Sequence, residues 1–144
     1  MDGSNRIDLA ALLLRGALGV MFVAHALLKY LVFTPAGTVQ FFESLGLPGP
    51  LAYATIAAEL VGGILLILGV YTRAVAFALG PILLGAAWAH SGNGWLFTSP
   101  NGGWEYPVFL AVAGVVVGLL GGGRFALASL TPLRRAAFRL QRAD

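Results

Sequence analysis

Four apolar stretches dominate the 144-residue chain, at residues 7–33, 51–70, 74–89 and 106–120, and the segments between them carry Pro, Gly, Asn or Arg. A hydrocarbon core about 30 Å thick takes about 20 helical residues to cross. The first two stretches reach that length. The third and fourth are shorter, but Arg73 and Arg124 can snorkel at one end while Trp88, Trp95 and Trp104 sit in an aromatic belt at the other. Composition argues against a water-soluble fold. Hydrophobic residues make up 58% of the chain and charged residues 10%, against roughly 25% charged in soluble domains. The expected fold is all-α: a transmembrane four-helix bundle made by residues 1–130.

Charge placement predicts the orientation. Arg6, Arg73, Arg124, Arg134, Arg135, Arg139 and Arg142 fall before the first span, between the second and third, or after the fourth, whereas residues 34–50 and 91–104 contain no Lys or Arg. The positive-inside rule then puts both termini on the cytoplasmic side of a multi-pass protein, for which the bacterial inner membrane is the expected location. The net charge of +3 is a topology signal by this reading and does not point to nucleic acid. Residues 131–144 are expected to form a short basic interfacial helix, with Thr131 as N-cap and Pro132 at the first helical position, its arginines facing anionic membrane lipid. Ala24-His25-Ala26 resembles a signal-peptidase site, but Arg15 interrupts the preceding apolar run and Lys29 and Tyr30 continue the pattern, so the segment is expected to be a span. The chain has no cysteine. Disulfides, thiolate metal sites and sulfur redox on its own side chains are thereby excluded, and no metal site is expected.

Small residues punctuate the spans. Gly114, Gly118 and Gly122 repeat every fourth position, and Gly62, Gly63, Gly80 and Gly85 add to them. In lipid, helices gain little from apolar burial against one another, so close backbone approach through small residues supplies the contact. A tight bundle is expected.

The polar residues inside these spans are the candidate functional ones. Arg15, Leu18, Phe22, His25 and Lys29 follow a 3-4-3-4 spacing and share one helical stripe. An ionisable residue at bilayer depth costs about 2.5–3.5 kcal/mol on insertion scales, so the stripe should face the bundle interior or a wet cavity. At about 1.5 Å of rise per residue, His25 and Glu59 lie at similar depth in the outer half, with Lys29 one turn above and Arg15 near the inner face. His90 closes the third span on the outer side and Glu105 opens the fourth. Glu59 is flanked by Ala57, Ala58, Leu60 and Val61, and a carboxylate there must be paired, hydrogen-bonded or protonated. A Lys29–Glu59 ion pair with His25 donating nearby is expected. Each residue also has a plainer reading: Arg15 and Lys29 as snorkelling side chains, His90 and Glu105 as interface residues, and the ion pair as a helix lock.

The same residues carry a family resemblance. The run from Arg15 to Lys29 (RGALGVMFVAHALLK), then AELVGG at 58–63, LGVYTR at 68–73 and GGWEY at 102–106 resemble, in order and spacing, the motifs of the DoxX family of small bacterial membrane proteins. Ala26 departs from the glycine usual in the family after the histidine. The resemblance implies a four-helix membrane protein in a redox context, since family members include the small membrane subunit of a thiosulfate:quinone oxidoreductase.

Two functions compete. As a quinone-linked redox subunit, the chain would offer His25, Lys29, Glu59, His90 and Glu105 as a polar site, with Phe22, Trp88 and Tyr106 as aromatic lining. It would have no intrinsic cofactor, and its electrons would come from a partner redox subunit or a diffusing reductant. As an accessory subunit, it would use the polar cluster to hold helix register and dock onto a larger membrane complex, with a homo-oligomer as a further arrangement. A haem between His25 and His90 is disfavoured by their different depths. A proton-coupled carrier is disfavoured because the pattern shows no inverted repeats or broken helices.

Overall fold

The computed structural model describes residues 3–130, and within them the regular structure is helical, with no strand. Helix α1 spans Gly3–Leu27 and runs directly into a π-helical turn, Leu28–Val32. Helix α2 is Thr34–Ser44, α3 is Pro50–Leu68, α4 is Thr72–Ala89 and α5 is Glu105–Leu120. Short 3₁₀ turns follow at Ser91–Asn93 and Leu127–Leu130. Three continuous helical segments are long and apolar enough to cross a bilayer: Gly3–Val32, Pro50–Leu68 and Thr72–Asn93. Glu105–Leu120 is apolar but shorter, at 16 residues just under the working minimum of about 17.

Local chemistry explains where the helices stop. Pro50 sits in the first turn of α3, where its missing N–H removes no helical bond. At the other end Gly69 takes φ +73°, and two bonds close the helix: Gly69 N–H to Leu66 O at 3.1 Å and Val70 N–H to Leu65 O at 2.9 Å. That pair is a Schellman termination, which needs the left-handed residue that glycine supplies without strain.

The bundle's order follows from who touches whom. α1 packs along α3 and α4 along α5, and α3–α4 and α1–α5 contacts close the ring. Along the α1–α3 seam, Arg15 reaches Leu66, Gly19 meets Gly63 and Lys29 reaches Glu59, so partner numbers fall as α1 rises and the two helices are antiparallel. The α4–α5 seam reads the same way, with Phe77 against Gly118 and Leu83 against Gly114. One end of the bundle therefore carries Arg6, Arg73 and Arg124, and the other carries Trp88, Trp95 and Trp104.

Inside the ring Leu18, Phe22, Leu66, Ala76, Leu79, Leu83 and Val117 form the core. Outside it Leu13, Val20, Phe77, Leu84, Phe109 and Leu119 are exposed around the barrel of helices. A belt of that size in water would be an aggregation surface, whereas lipid is its matching solvent.

The glycines divide into two groups. A Cβ on Gly19 would lie 2.7 Å from Gly63 O, and one on Gly63 would lie 2.7 Å from Gly19 O. The two backbones touch there, and a side chain on either would force them apart. Gly62 and Gly118 receive Leu79 and Phe77 in the same way. Gly80 and Gly85 have open space around them, so their place in the sequence pattern carries no packing.

Residues 34–50, read from sequence only as a connection without basic residues, contain helix α2, which packs on α3. Its start is local: Thr34 takes φ +62° and Pro35 occupies the first turn. The basic helix expected over residues 131–144 lies outside the described residues.

Candidate functional site

At the arginine end, Arg15 is buried to 1% exposure. Its guanidinium donates from Nη1 to Leu66 O at 2.8 Å and also to Ile67 O, from Nη2 to Phe125 O at 3.0 Å and from Nε to Gly122 O at 3.3 Å. Leu66 and Ile67 lie in the last turn of α3, whose carbonyls lack the regular helical partner four residues on and carry the negative end of the helix dipole, although Leu66 O also accepts the Gly69 N–H of the termination. Gly122 and Phe125 lie in the turn after α5. One fork of five N–H groups thus ties three parts of the chain together. Snorkelling does not describe this side chain.

Toward the tryptophan end Lys29 Nζ donates to both carboxylate oxygens of Glu59, at 2.9 Å to Oε1 and 2.8 Å to Oε2. Glu59 is 4% exposed, and the Lys29 side chain is 20% exposed. This is the pair expected from the spacing, and it bridges α1 and α3. Lys29 lies on the π-helical turn, and its carbonyl accepts a bond from Thr38 Oγ1 of α2 at 3.2 Å. The single hydroxyl proton of Thr38 is shared with the nearer Thr34 O at 2.9 Å, and the residue is buried. Thr38 was missed from sequence, because a threonine in a connection gives no signal of its target.

His25 lies one turn below, but its described partners are different. Its Nδ1 is 2.7 Å from Met21 O. A carbonyl can only accept, so this nitrogen carries the proton and the neutral ring keeps its lone pair on Nε2. The ring stacks on Tyr106 of α5 with centroids 6.0 Å apart and planes 24° from parallel. Donation from His25 to Glu59 is not among its described bonds. The polar groups of the half nearer the tryptophans therefore meet as two couples, Lys29–Glu59 between the end of the first helix and α3 and His25–Tyr106 across α1–α5.

The remaining candidates stand apart. His90 closes α4, with Nδ1 2.8 Å from Ala86 O and its ring beside Gly102. Glu105 opens α5, and its Oε1 accepts the Phe97 N–H at 2.8 Å, tying the preceding loop to the helix. Phe22 is buried in the core with Leu18 and Leu66, and Trp88 points outward, 55% exposed.

Two cavities border these groups. One of about 460 Å³, within the range usual for small-molecule sites, is lined by Trp95, Phe97, Glu105, Tyr106, Val108 and Phe109. A smaller cleft of about 220 Å³ on the α1–α3 side is lined by Ala26, Leu27, Tyr30, Ile56 and Leu60. Phe97 and Phe109 were not singled out from sequence, and Trp95 was named only as part of the aromatic belt. The aromatic density of residues 95–109 was the signal available.

Comparison with known proteins gives this arrangement a context. The sequence model of the DoxX family matches residues 10–92, more than half of the chain. The chain belongs to the DoxX family. A protein of Bacillus subtilis (strain 168) that carries the name "Putative oxidoreductase CatD" is 42% identical over 83 residues, which cover 58% of this chain and 60% of that relative. The chain thus matches under two thirds of that relative's length. No solved structure matches the chain. The DoxX match takes in Arg15, His25, Lys29, Glu59 and His90. The segment 102–106, read above as part of the resemblance, lies beyond it, and so do Glu105 and Tyr106.

Proposed function

We propose that this DoxX protein is a membrane subunit of a redox system that binds a quinone in the half of the bundle nearer its tryptophans, with both termini cytoplasmic in a bacterial inner membrane. The supporting observation is the pair of polar couples inside an apolar bundle: Lys29 on Glu59, and His25 against Tyr106. A quinone head needs hydrogen-bond donors and proton carriers at membrane depth, next to apolar space for its tail. Tyr30 and Tyr106 carry hydroxyl donors, and the His25 Nε2 atom exchanges a proton without disturbing its Nδ1 bond. The cleft beside Ala26, Tyr30 and Leu60 lies on the helix pair that carries the ion pair and is open to an isoprenoid chain. The oxidoreductase name of the Bacillus subtilis relative agrees with a redox setting. Electrons would come from a partner chain or a diffusing reductant.

The test is a titration of a ubiquinone or menaquinone analogue onto the purified protein and onto Glu59→Gln. The proposal expects saturable binding that weakens at least tenfold in the variant. Equal, weak binding to both removes it.

A second reading has its own observation. Both oxygens of Glu59 are engaged by Lys29, a closed pair of the kind that holds helix register, in an accessory subunit of a larger membrane complex. On that reading Glu59→Gln lowers thermal stability and complex assembly together, and quinone titrations are flat throughout.

A further inference from the structure

We infer that the larger cavity at the tryptophan end is a binding site for an alkylammonium group, with Glu105 as the counter-charge and Trp95, Phe97, Tyr106 and Phe109 as an aromatic cage. This goes beyond the quinone reading: Tyr106 is common to the two sites, but neither Lys29 nor Glu59 lines this cavity, and the charge it relies on is that of Glu105.

The argument begins with sign. Glu105 is the one ionisable carboxyl among the six lining residues, and no lysine or arginine lines the space. No lysine or arginine occurs in residues 34–50 or 91–104 either, the two connections at this end. Glu105 Oε1 is held by the Phe97 N–H, while Oε2 has no protein partner among the described residues. A carboxylate among the walls of an otherwise apolar cavity is complementary to a cation. The other walls sharpen the choice. The faces of tryptophan, tyrosine and phenylalanine attract cations through the ring quadrupole, and clusters of such rings suit substituted ammonium groups because the alkyl substituents pack on the rings as the charge is stabilised. A metal ion or a bare proton would leave those faces unused, and an anion would be repelled.

The cage is a folded structure and not a chance gap between side chains. Trp95 packs edge-on against Trp104 at 4.4 Å. Trp95 O accepts the Glu105 N–H at 3.0 Å, and Gly94 O accepts the Trp104 N–H at 3.2 Å. Asn93 Nδ2 donates to Gly102 O at 2.9 Å. Gly103 is wedged against the carbonyls of Trp95 and Leu96 so closely that no Cβ fits. The loop is thereby pinned to the start of α5, with the backbone of Trp95 and Phe97 bonded to Glu105. Phe97 and Phe109 are both 67% exposed, so the cage opens outward at the level of the aromatic belt, where lipid headgroups lie.

Two sources carry this chemistry at that level: the ethanolamine headgroup of a phospholipid and a soluble amphiphilic amine. The experiment uses the full-length protein and has an arm for each. In the first, hexyltrimethylammonium is titrated by calorimetry onto protein in phosphatidylglycerol nanodiscs, with 1-octanol as the uncharged control. In the second, protein purified from mixed phosphatidylethanolamine and phosphatidylglycerol membranes is examined by native mass spectrometry for the lipid it retains. The decisive variant is Glu105→Gln, which keeps an oxygen for the Phe97 N–H and removes the charge. Saturable ammonium binding that weakens at least tenfold in Glu105→Gln, with no such loss for octanol, supports the site. Retention of phosphatidylethanolamine by the wild type and not by the variant assigns the source to lipid, and ammonium binding without that enrichment assigns it to a soluble amine. Equal behaviour of wild type and Glu105→Gln in both arms overturns the inference. If Glu105→Gln does not fold, Phe109→Leu decides: it removes one aromatic wall, and ammonium affinity unchanged from wild type overturns the inference equally. Quinone titrations of Glu59→Gln are read separately, so failure of either proposal leaves the other standing.

Discussion

Two cations on the first helix, Arg15 and Lys29, are kept inside the bundle by different means. Lys29 has a carboxylate, and the Lys29–Glu59 couple is neutral as a unit. Arg15 has no acidic partner among the described residues and is held by four backbone carbonyls from the end of α3 and the turn after α5. The difference follows from the two side chains. A guanidinium spreads its charge over a planar fork that can satisfy several separated acceptors, whereas an ammonium is a compact charge best met by one carboxylate. It also follows from where they lie, because the end of a helix presents carbonyls with partial negative charge and its middle presents none. The arginine end is stitched by backbone, and the other end is locked by a side-chain pair.

Replacing Arg15 with leucine should have the largest effect. Leu66 O keeps the Gly69 N–H, but Ile67 O, Gly122 O and Phe125 O lose their donor; at about 1–3 kcal/mol for each buried carbonyl left unpaired, the loss should reach at least about 3 kcal/mol, read as unfolding of the purified protein in detergent. Arg15→Lys should recover only part of it, because three donors on one nitrogen cannot span the acceptors. Full recovery by lysine would break the contrast between the two ends.

Next comes Glu59→Gln, which strands Lys29 in apolar surroundings. Breaking a buried pair costs about 3–5 kcal/mol in soluble proteins. Lys29 keeps some exposure, so about 2 kcal/mol is expected. The double variant Lys29→Met/Glu59→Leu should restore most of that stability. If it is no better than the single variant, the pair does more than hold two helices together.

A smaller effect tests the seam between the two ends. Gly19→Ala places a methyl 2.7 Å from Gly63 O, and overpacking of this kind costs about 1–3 kcal/mol. Gly80→Ala, with nothing within 4 Å, should be the smallest change, neutral or stabilising by up to about 1 kcal/mol from helix propensity. Equal melting shifts for the two glycine variants would show that helix propensity and not close approach governs the seam.

Particular residues show how far the sequence could be read. The four apolar helices and the Lys29–Glu59 pair were legible, because a buried carboxylate among alanines and leucines demands a cation and the stripe on α1 offered one at matching depth. Arg15 was singled out, yet its partners were hidden: backbone carbonyls have no residue identity, so no pattern marks them. Gly80 looks like Gly63 in the sequence, and only the neighbouring helix tells them apart. Helix α2 was missed because its 11 residues carry a short, mixed pattern that resembles a connection. The lining around Glu105 was half visible, with Glu105, Tyr106 and Trp95 named and the loop that ties Trp95 and Phe97 to Glu105 unseen.

The sequence alone determined that the chain forms apolar helices suited to a membrane, with basic residues gathered at one end. In hydrocarbon every backbone polar group must be satisfied within its own helix, so hydropathy dictates secondary structure directly. Tertiary structure alone decided which helices touch, where two glycines bring backbones together and that Arg15 is answered by carbonyls 51 to 110 residues away. Those outcomes depend on helix order and register, which arise from the sum of many weak packing contacts and leave no local mark in the order of amino acids.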